Sequence, residues 1–186
     1  MLRKVGPAEV KAGPEAALKE REFVAYPSTF TRTPDSYGEV VKAGAFANTI
    51  AQWKASGNVM PGLFAHRMDD PSMFVAGATD MGEHDHGWWV RGVFDATPTA
   101  LQVYSLVKSK RLSQLSFAYD VIDQGKVTVG DGEQANELRD VRLHEFSFVP
   151  ICANSDTSVV AVKSTPTNRA ATQTLILRLA ILSAHP

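Results

Sequence analysis

The sequence holds a single cysteine, Cys152, in 186 residues. One thiol excludes an internal disulfide framework and any zinc site built on several cysteines. An excess of charge of either sign is also missing: 19 Lys and Arg face 20 Asp and Glu, a net charge of -1. A chain that binds nucleic acid through a broad basic surface is therefore disfavoured and no nucleic-acid partner is expected, although a local patch stays open. Long apolar runs are absent as well. The longest, residues 175–182, is interrupted by Arg178, and it falls far short of the ~20 residues that span a bilayer. The opening MLRKVGPAEVKAG carries no apolar core of signal-peptide type, so an intracellular protein without a membrane partner is the expectation. No GxGxxG, GxxxxGK(S/T) or GxSxG pattern occurs. Nucleotide binding and the nucleophile-elbow hydrolases thus have no support, and no cofactor is expected.

What is present is ordinary globular material: 44% hydrophobic and 21% charged residues in 20.2 kDa. That composition and length fit one packed domain. Residues 1–21, rich in Ala, Lys and Glu but broken by Pro7, Gly13 and Pro14, read as a flexible N-terminal arm. The compact domain is expected over residues 22–162. Residues 163–186 follow as a polar linker, 164–174, and an apolar tail, 175–182.

Within the domain, Phe23, Ala25 and the Tyr26-Pro27 corner read as a strand entering a loop over residues 31–38. Phe46, Ile50 and Trp53 form a helical stripe in residues 43–56, with Gly57 as its stop. Residues 59–66 read as a short apolar strand ending at His66. Residues 74–79 and 88–94 are expected to pair as strands across a polar turn, 80–87. Thr97-Pro98 opens a second helix with Leu101, Tyr104 and Val107 as its stripe. Residues 115–122 and 141–149 are the clearest strands, separated by an expected polar loop, 123–136.

Three stretches carry groups able to do chemistry. His66, at a strand end, would be rigidly oriented yet open to solvent, which suits a general base. Ser116 sits in an alternating strand whose other face holds Leu115, Phe117, Tyr119 and Val121; it shares its face with Gln114, Ala118 and Asp120. A serine attacks a carbonyl only when a base takes its proton, so Ser116 needs a histidine from elsewhere. Ser113 is a weaker rival. The third stretch runs from Arg142 to Val149. In an unbulged strand His144 and Glu145 point to opposite faces, so at most one of them can orient His66. Glu145 would lie with Leu143, Ser147 and Val149, where a carboxylate needs a partner. A competing constellation is Glu83-His84-Asp85-His86, in which two histidines and acidic neighbours would suit a divalent metal; its flanking glycines suggest instead a polar hairpin tip.

The ordered set of segments resembles the prohead maturation proteases of tailed bacteriophages (HK97 type). The matching stretches are residues 23–26, 35–41, Gly44-Ala45-Phe46, Leu63-Phe64-Ala65-His66 with Asp69-Asp70-Pro71, Gly92-Val93-Phe94, residues 115–119, residues 145–150, and Ala153-Asn154. Two departures stand near the proposed site: Ala118 where the family often has glycine, and a proline shifted to Pro150.

The resemblance implies an α+β fold like that of the herpesvirus assembly proteases, a small, largely antiparallel β-barrel with helices packed outside. It implies a serine endopeptidase that removes scaffold segments of capsid proteins, and cuts itself, inside the procapsid in the host cytoplasm. Ser116 would be the nucleophile and His66 the general base. Glu145 is favoured as third member, and His144 remains the alternative. The polar chain next to a compact domain adds a separate expectation, self-cleavage near the 164–174 linker to release the tail, and a homo-oligomer is compatible with all of this. The competing class is a non-enzymatic capsid-assembly or scaffold-binding factor on the same fold. A metal-dependent hydrolase using His84 and His86 is the weaker third.

Overall fold

The computed structural model describes residues 18–154 and 156–162; the linker and tail, and most of the N-terminal arm, lie outside them. Among these residues eight strands and two α-helices follow one another as β1 (Glu22–Thr29), β2 (Glu39–Val41), α1 (Ala47–Ser56), β3 (Pro61–Phe64), β4 (Phe74–His84), β5 (Gly87–Phe94), α2 (Pro98–Lys108), β6 (Gln114–Val129), β7 (Glu133–Val149) and β8 (Ser158–Val162). They make a single mixed sheet in the order β2-β7-β3-β4-β5-β1-β8, with β6 on the other edge of β7. The α+β, strand-dominated architecture expected from the sequence is there. The barrel is not closed: the ladder ends at β8, and among the described residues a single bond, Val159 N–H to Ser113 C=O at 3.2 Å, links β8 to the residue before β6.

β7 organises the sheet. One edge pairs with β6 along its length, while the other is shared by three elements in turn. β2 pairs in parallel at Asn136 to Leu138 and β3 in parallel at Phe146 to Phe148. Between them α1 takes over: Thr49 Oγ1 accepts the Leu143 N–H and Trp53 Nε1 donates to Leu143 C=O, both at 3.1 Å. Side chains of a helix thus satisfy backbone groups that no strand reaches. α1 stops at Gly57, whose φ of 69° is the left-handed C-terminal turn glycine adopts freely. Gly62 has a different task. A Cβ there would stand 2.6 Å from the Phe146 ring and 2.9 Å from Ala76, so β3 fits between β7 and β4 only with glycine at this point.

Phe23, Phe94, Phe146 and Phe148 are fully buried and meet ring to ring at 4.9 to 6.1 Å under the helices and strands. Each such side chain contributes roughly 1.5–3 kcal/mol on burial, so this cluster anchors β7 beside β1 and β5. On α2, Thr97 caps by accepting the Ala100 N–H, and the buried stripe is Ala100, Val103, Tyr104 and Val107. Leu101 is 44% exposed, one position off the expected face.

Two expected loops are strand. β4 runs on through His84, leaving only Asp85 and His86 to turn, because Met81 is buried and Glu83 accepts the Phe46 N–H at the start of α1. Burial pushes the Glu83 carboxyl up, and its bonds to the Phe46 and Gly44 amides oppose this. Residues 123–136 are mostly the far end of the β6–β7 ribbon, turning at Gly130–Gly132. Val127, Val129 and Ala135 turn inward against Val40, but most of the other side chains there are open to solvent, so the polar sequence reads as loop while the backbone still pairs.

Candidate active site

The site forms where β3, β7 and β6 run side by side. The register aligns Leu63 with Ser147 and Ser147 with Ser116, so the three strands meet at one level. Ala65 extends the ladder by donating to Phe148 C=O at 3.1 Å. The chain then turns sharply: Ala65 and His66 have φ of 55° and 57°. Two consecutive non-glycine residues in the left-handed region are costly, ~1–2 kcal/mol each. His66 is held there by two contacts to β7. Its N–H donates to Ser147 Oγ at 3.1 Å, and its Nδ1 lies 2.7 Å from Glu145 Oε1.

Glu145 is 1% exposed and His66 side chain 37% exposed. A carboxylate taken out of water needs charged or hydrogen-bonding partners, and Glu145 has two: the imidazole on Oε1 and the Ser147 hydroxyl, which donates to Oε2. With Nδ1 engaged, Nε2 is the nitrogen left to accept a proton, and the ring reaches solvent. That is the electronic arrangement of an oriented general base.

Ser116 is cross-strand partner to Ser147, and directly opposed residues point to the same face. It therefore shares a face with Ser147 and Glu145 and is half-buried. Among the described residues no hydrogen bond joins Ser116 Oγ to His66. The backbone before Ser116 is firmly fixed. Thr157 Oγ1 accepts the Leu115 N–H at 3.2 Å and donates to Leu115 C=O at 2.9 Å, replacing the missing ladder partner. Gln114 Oε1 accepts the Cys152 N–H at 3.2 Å. The segment after β7 is thus pinned against the strand that carries Ser116.

The choice between His144 and Glu145 turns on a bulge. Ala118 pairs with Glu145 and Tyr119 with Leu143, leaving His144 as the extra residue. Its side chain is 42% exposed and lies with Nε2 3.0 Å from Asp120 Oδ2, away from His66. Ser113 is exposed and lies outside β6. The Glu83 to His86 stretch does not converge: Glu83 faces α1, His84 Nε2 bonds the Tyr26 hydroxyl, and the His86 ring packs edge-on against Tyr26 at 4.7 Å. Among the described residues no group of three or more His, Cys, Asp or Glu is placed to hold a metal ion.

Two polar residues that sequence reasoning passed over are central here. Ser147 is fully buried and touches both His66 and Glu145. Its place two residues after Glu145, on the same face, was the available signal. Thr157 left none, since its clamp on Leu115 depends on a fold that returns 42 residues later.

A family model described as caudovirus prohead serine protease matches residues 8–171. Among solved structures the chain is similar to KSHV protease in complex with a hexapeptide phosphonate inhibitor. Identity is 12%, the match covers 84% of this chain and 76% of that one, and the TM-score is 0.46. No curated protein matches significantly. No helix among the described residues is long and apolar enough to cross a membrane.

Proposed function

Since the chain belongs to the caudovirus prohead serine protease family, and is thus a serine protease of phage capsid maturation, we propose that Ser116 is its nucleophile, His66 its general base and Glu145 the group that orients the base. The observation that carries this is the 2.7 Å contact from His66 Nδ1 to a carboxylate that is 1% exposed. In the first step Nε2 of His66 takes the Ser116 proton as Oγ attacks a peptide carbonyl, and the tetrahedral intermediate carries the negative charge. The imidazolium then protonates the departing amine, and water repeats the cycle to release the acyl group. Glu145 keeps the proton on Nδ1 and stabilises the imidazolium.

Ser147 does not compete as nucleophile. It is fully buried and its hydroxyl proton is committed to Glu145. Ser116, half-buried at the same level of the sheet, is the reachable hydroxyl. The hydrogen bond from Oγ to Nε2 would form on substrate binding; such contacts are commonly loose in free enzymes and tighten on substrate.

The substrates we assign are scaffold segments of the coat protein and the enzyme's own chain, cut inside the procapsid in the host cytoplasm. Residues 22–162 would be the protease domain and the 164–174 linker a self-cleavage site. Ser116→Ala is expected to abolish processing of coat protein and enzyme, read by intact mass of procapsid proteins, while circular dichroism stays unchanged. Wild-type processing in that variant would remove Ser116 from the mechanism.

A further inference from the structure

A tetrahedral intermediate on Ser116 puts a negative oxygen beside it, and that oxygen needs a hydrogen-bond donor fixed in place before the reaction. Most backbone N–H groups around Ser116 are already committed. Leu115 turns both its N–H and its C=O to Thr157 Oγ1, away from β7. By the alternation of an antiparallel ladder, the Ser116 N–H then points at its partner Ser147 on β7. In the turn that carries His66, the N–H groups of residues 65–68 find Phe148 C=O, Ser147 Oγ, Phe64 C=O and His66 C=O in that order. The Cys152 N–H is taken by Gln114.

The Gln114 side chain is the exception. It stands two residues before Ser116 on the same face of β6 and is half-buried. Its Oε1 accepts the Cys152 N–H at 3.2 Å. A backbone N–H can only donate, so the oxygen end of the amide must face Cys152, and this bond fixes which way the group lies. The NH2 end is the one left over, and it has no hydrogen-bond partner among the described residues. The chain that holds the oxygen is itself anchored. Ala153 C=O accepts the Ser36 N–H at 3.2 Å, and Asn154 Nδ2 donates to Thr29 Oγ1 at 3.0 Å. An amide is thus tied down through its oxygen, with its donor end free, beside the proposed nucleophile.

We propose that Gln114 is a further catalytic residue, whose Nε2 donates to the oxyanion formed on Ser116. The inference deepens the protease reading above and rests on it. The spacing agrees. Residues two apart on one face of a strand stand about 6.6 Å from each other. An oxyanion joined through its carbon to Oγ, and accepting from Nε2 at about 3 Å, fits into that span. The base comes from the other flank: Glu145, which contacts His66, lies opposite Ala118, two residues after Ser116. Proton transfer and charge stabilisation are then divided between the two sides of the nucleophile along β6.

The test compares an alkyl fluorophosphonate with its thio counterpart, P=O against P=S, on the full chain. With either probe Ser116 Oγ bonds to phosphorus, its proton passes to His66, and fluoride leaves with the electron pair of the P–F bond. Sulfur is a poor hydrogen-bond acceptor. The oxygen-to-sulfur ratio of labelling rates at Ser116 therefore reads the donor, whereas a defect in Ser116 or His66 slows both probes alike. The wild-type ratio is expected to exceed that for hydroxide in buffer by roughly 10–100-fold, the range for a hydrogen bond to a charged group. Gln114→Glu keeps an acceptor for the Cys152 N–H but has no donor; Gln114→Met has neither. Both should fall to the hydroxide ratio, with circular dichroism and melting confirming that they are folded. A wild-type ratio retained in Gln114→Glu overturns the donor role and leaves Gln114 a clamp for the turn. Should Gln114→Met fail to fold, Gln114→Glu decides alone. A wild-type ratio equal to that of hydroxide overturns the donor and spares the protease reading. Absence of labelling at Ser116 by the fluorophosphonate sinks both.

Discussion

Two imidazole–carboxylate pairs stand on adjacent residues of β7 and have opposite meaning. His66 and Glu145 meet at 2.7 Å; His144 and Asp120 meet at 3.0 Å. Distance does not separate them. Burial does: the Glu145 carboxylate is 1% exposed, that of Asp120 56%. Exposed pairs gain ~0–1 kcal/mol because water and salt screen them. A carboxylate held in the interior has no such competitor, and removing its partner costs ~3–5 kcal/mol. What makes the difference is the neighbouring chain. β3 and its 65–66 turn lie along β7 at Glu145, whereas the bulged His144 falls just before them, in an open groove beside α1, and reaches the exposed Asp120. A site thus arises where a third strand closes over a two-stranded one.

That contrast can be broken by substitution. Glu145→Gln should have the largest effect, a fall in kcat of about a thousand- to ten-thousand-fold from loss of the imidazole tautomer and its charge stabilisation. Peptide hydrolysis or phosphonate labelling measures it, with thermal melting to separate folding. Ser147→Ala should come next. It removes one bond to Glu145 and one from the His66 backbone, and a hydrogen bond to a charged group is worth ~1.5–3 kcal/mol. About tenfold or more should be lost from kcat with KM unchanged; an equal rise in KM would mark a general structural defect instead. His144→Ala should be the smallest, less than about twofold in kcat, with stability altered within ~0.5 kcal/mol, as for an exposed residue. A loss at His144 comparable to that at Glu145 would erase the distinction between the two pairs.

How much of this could be read beforehand differs from residue to residue. The alternation of β6 puts Ser116 opposite Leu115 and Phe117 without any coordinates, and it is retained because one side of that stretch is buried. The His144 or Glu145 question stays open in sequence. One inserted residue resets the parity of a strand, and nothing in Arg142 to Val149 announces the bulge. The far ribbon, residues 123–136, hides for another reason: its buried face is only Val127, Val129 and Ala135 against Val40, too short an alternation to stand out among the polar residues around it. On α2 the stripe begins at Ala100, whose small side chain carries less signal than the larger but exposed Leu101 beside it. The open sheet has a similar origin. Closure depends on how β8 meets the start of β6, where among the described residues the contacts are the Ser113 bond and the Thr157 clamp on Leu115.

The left-handed backbone at position 66 has a practical consequence for anyone silencing this enzyme. Alanine there deletes the ring but keeps a residue type disfavoured at that φ, so any loss blends chemistry with a loosened corner. Asparagine tolerates positive φ several-fold better than most residues and cannot act as a base. His66→Asn is therefore the cleaner inactive form, one in which the hairpin beside Phe148 should stay put while turnover stops.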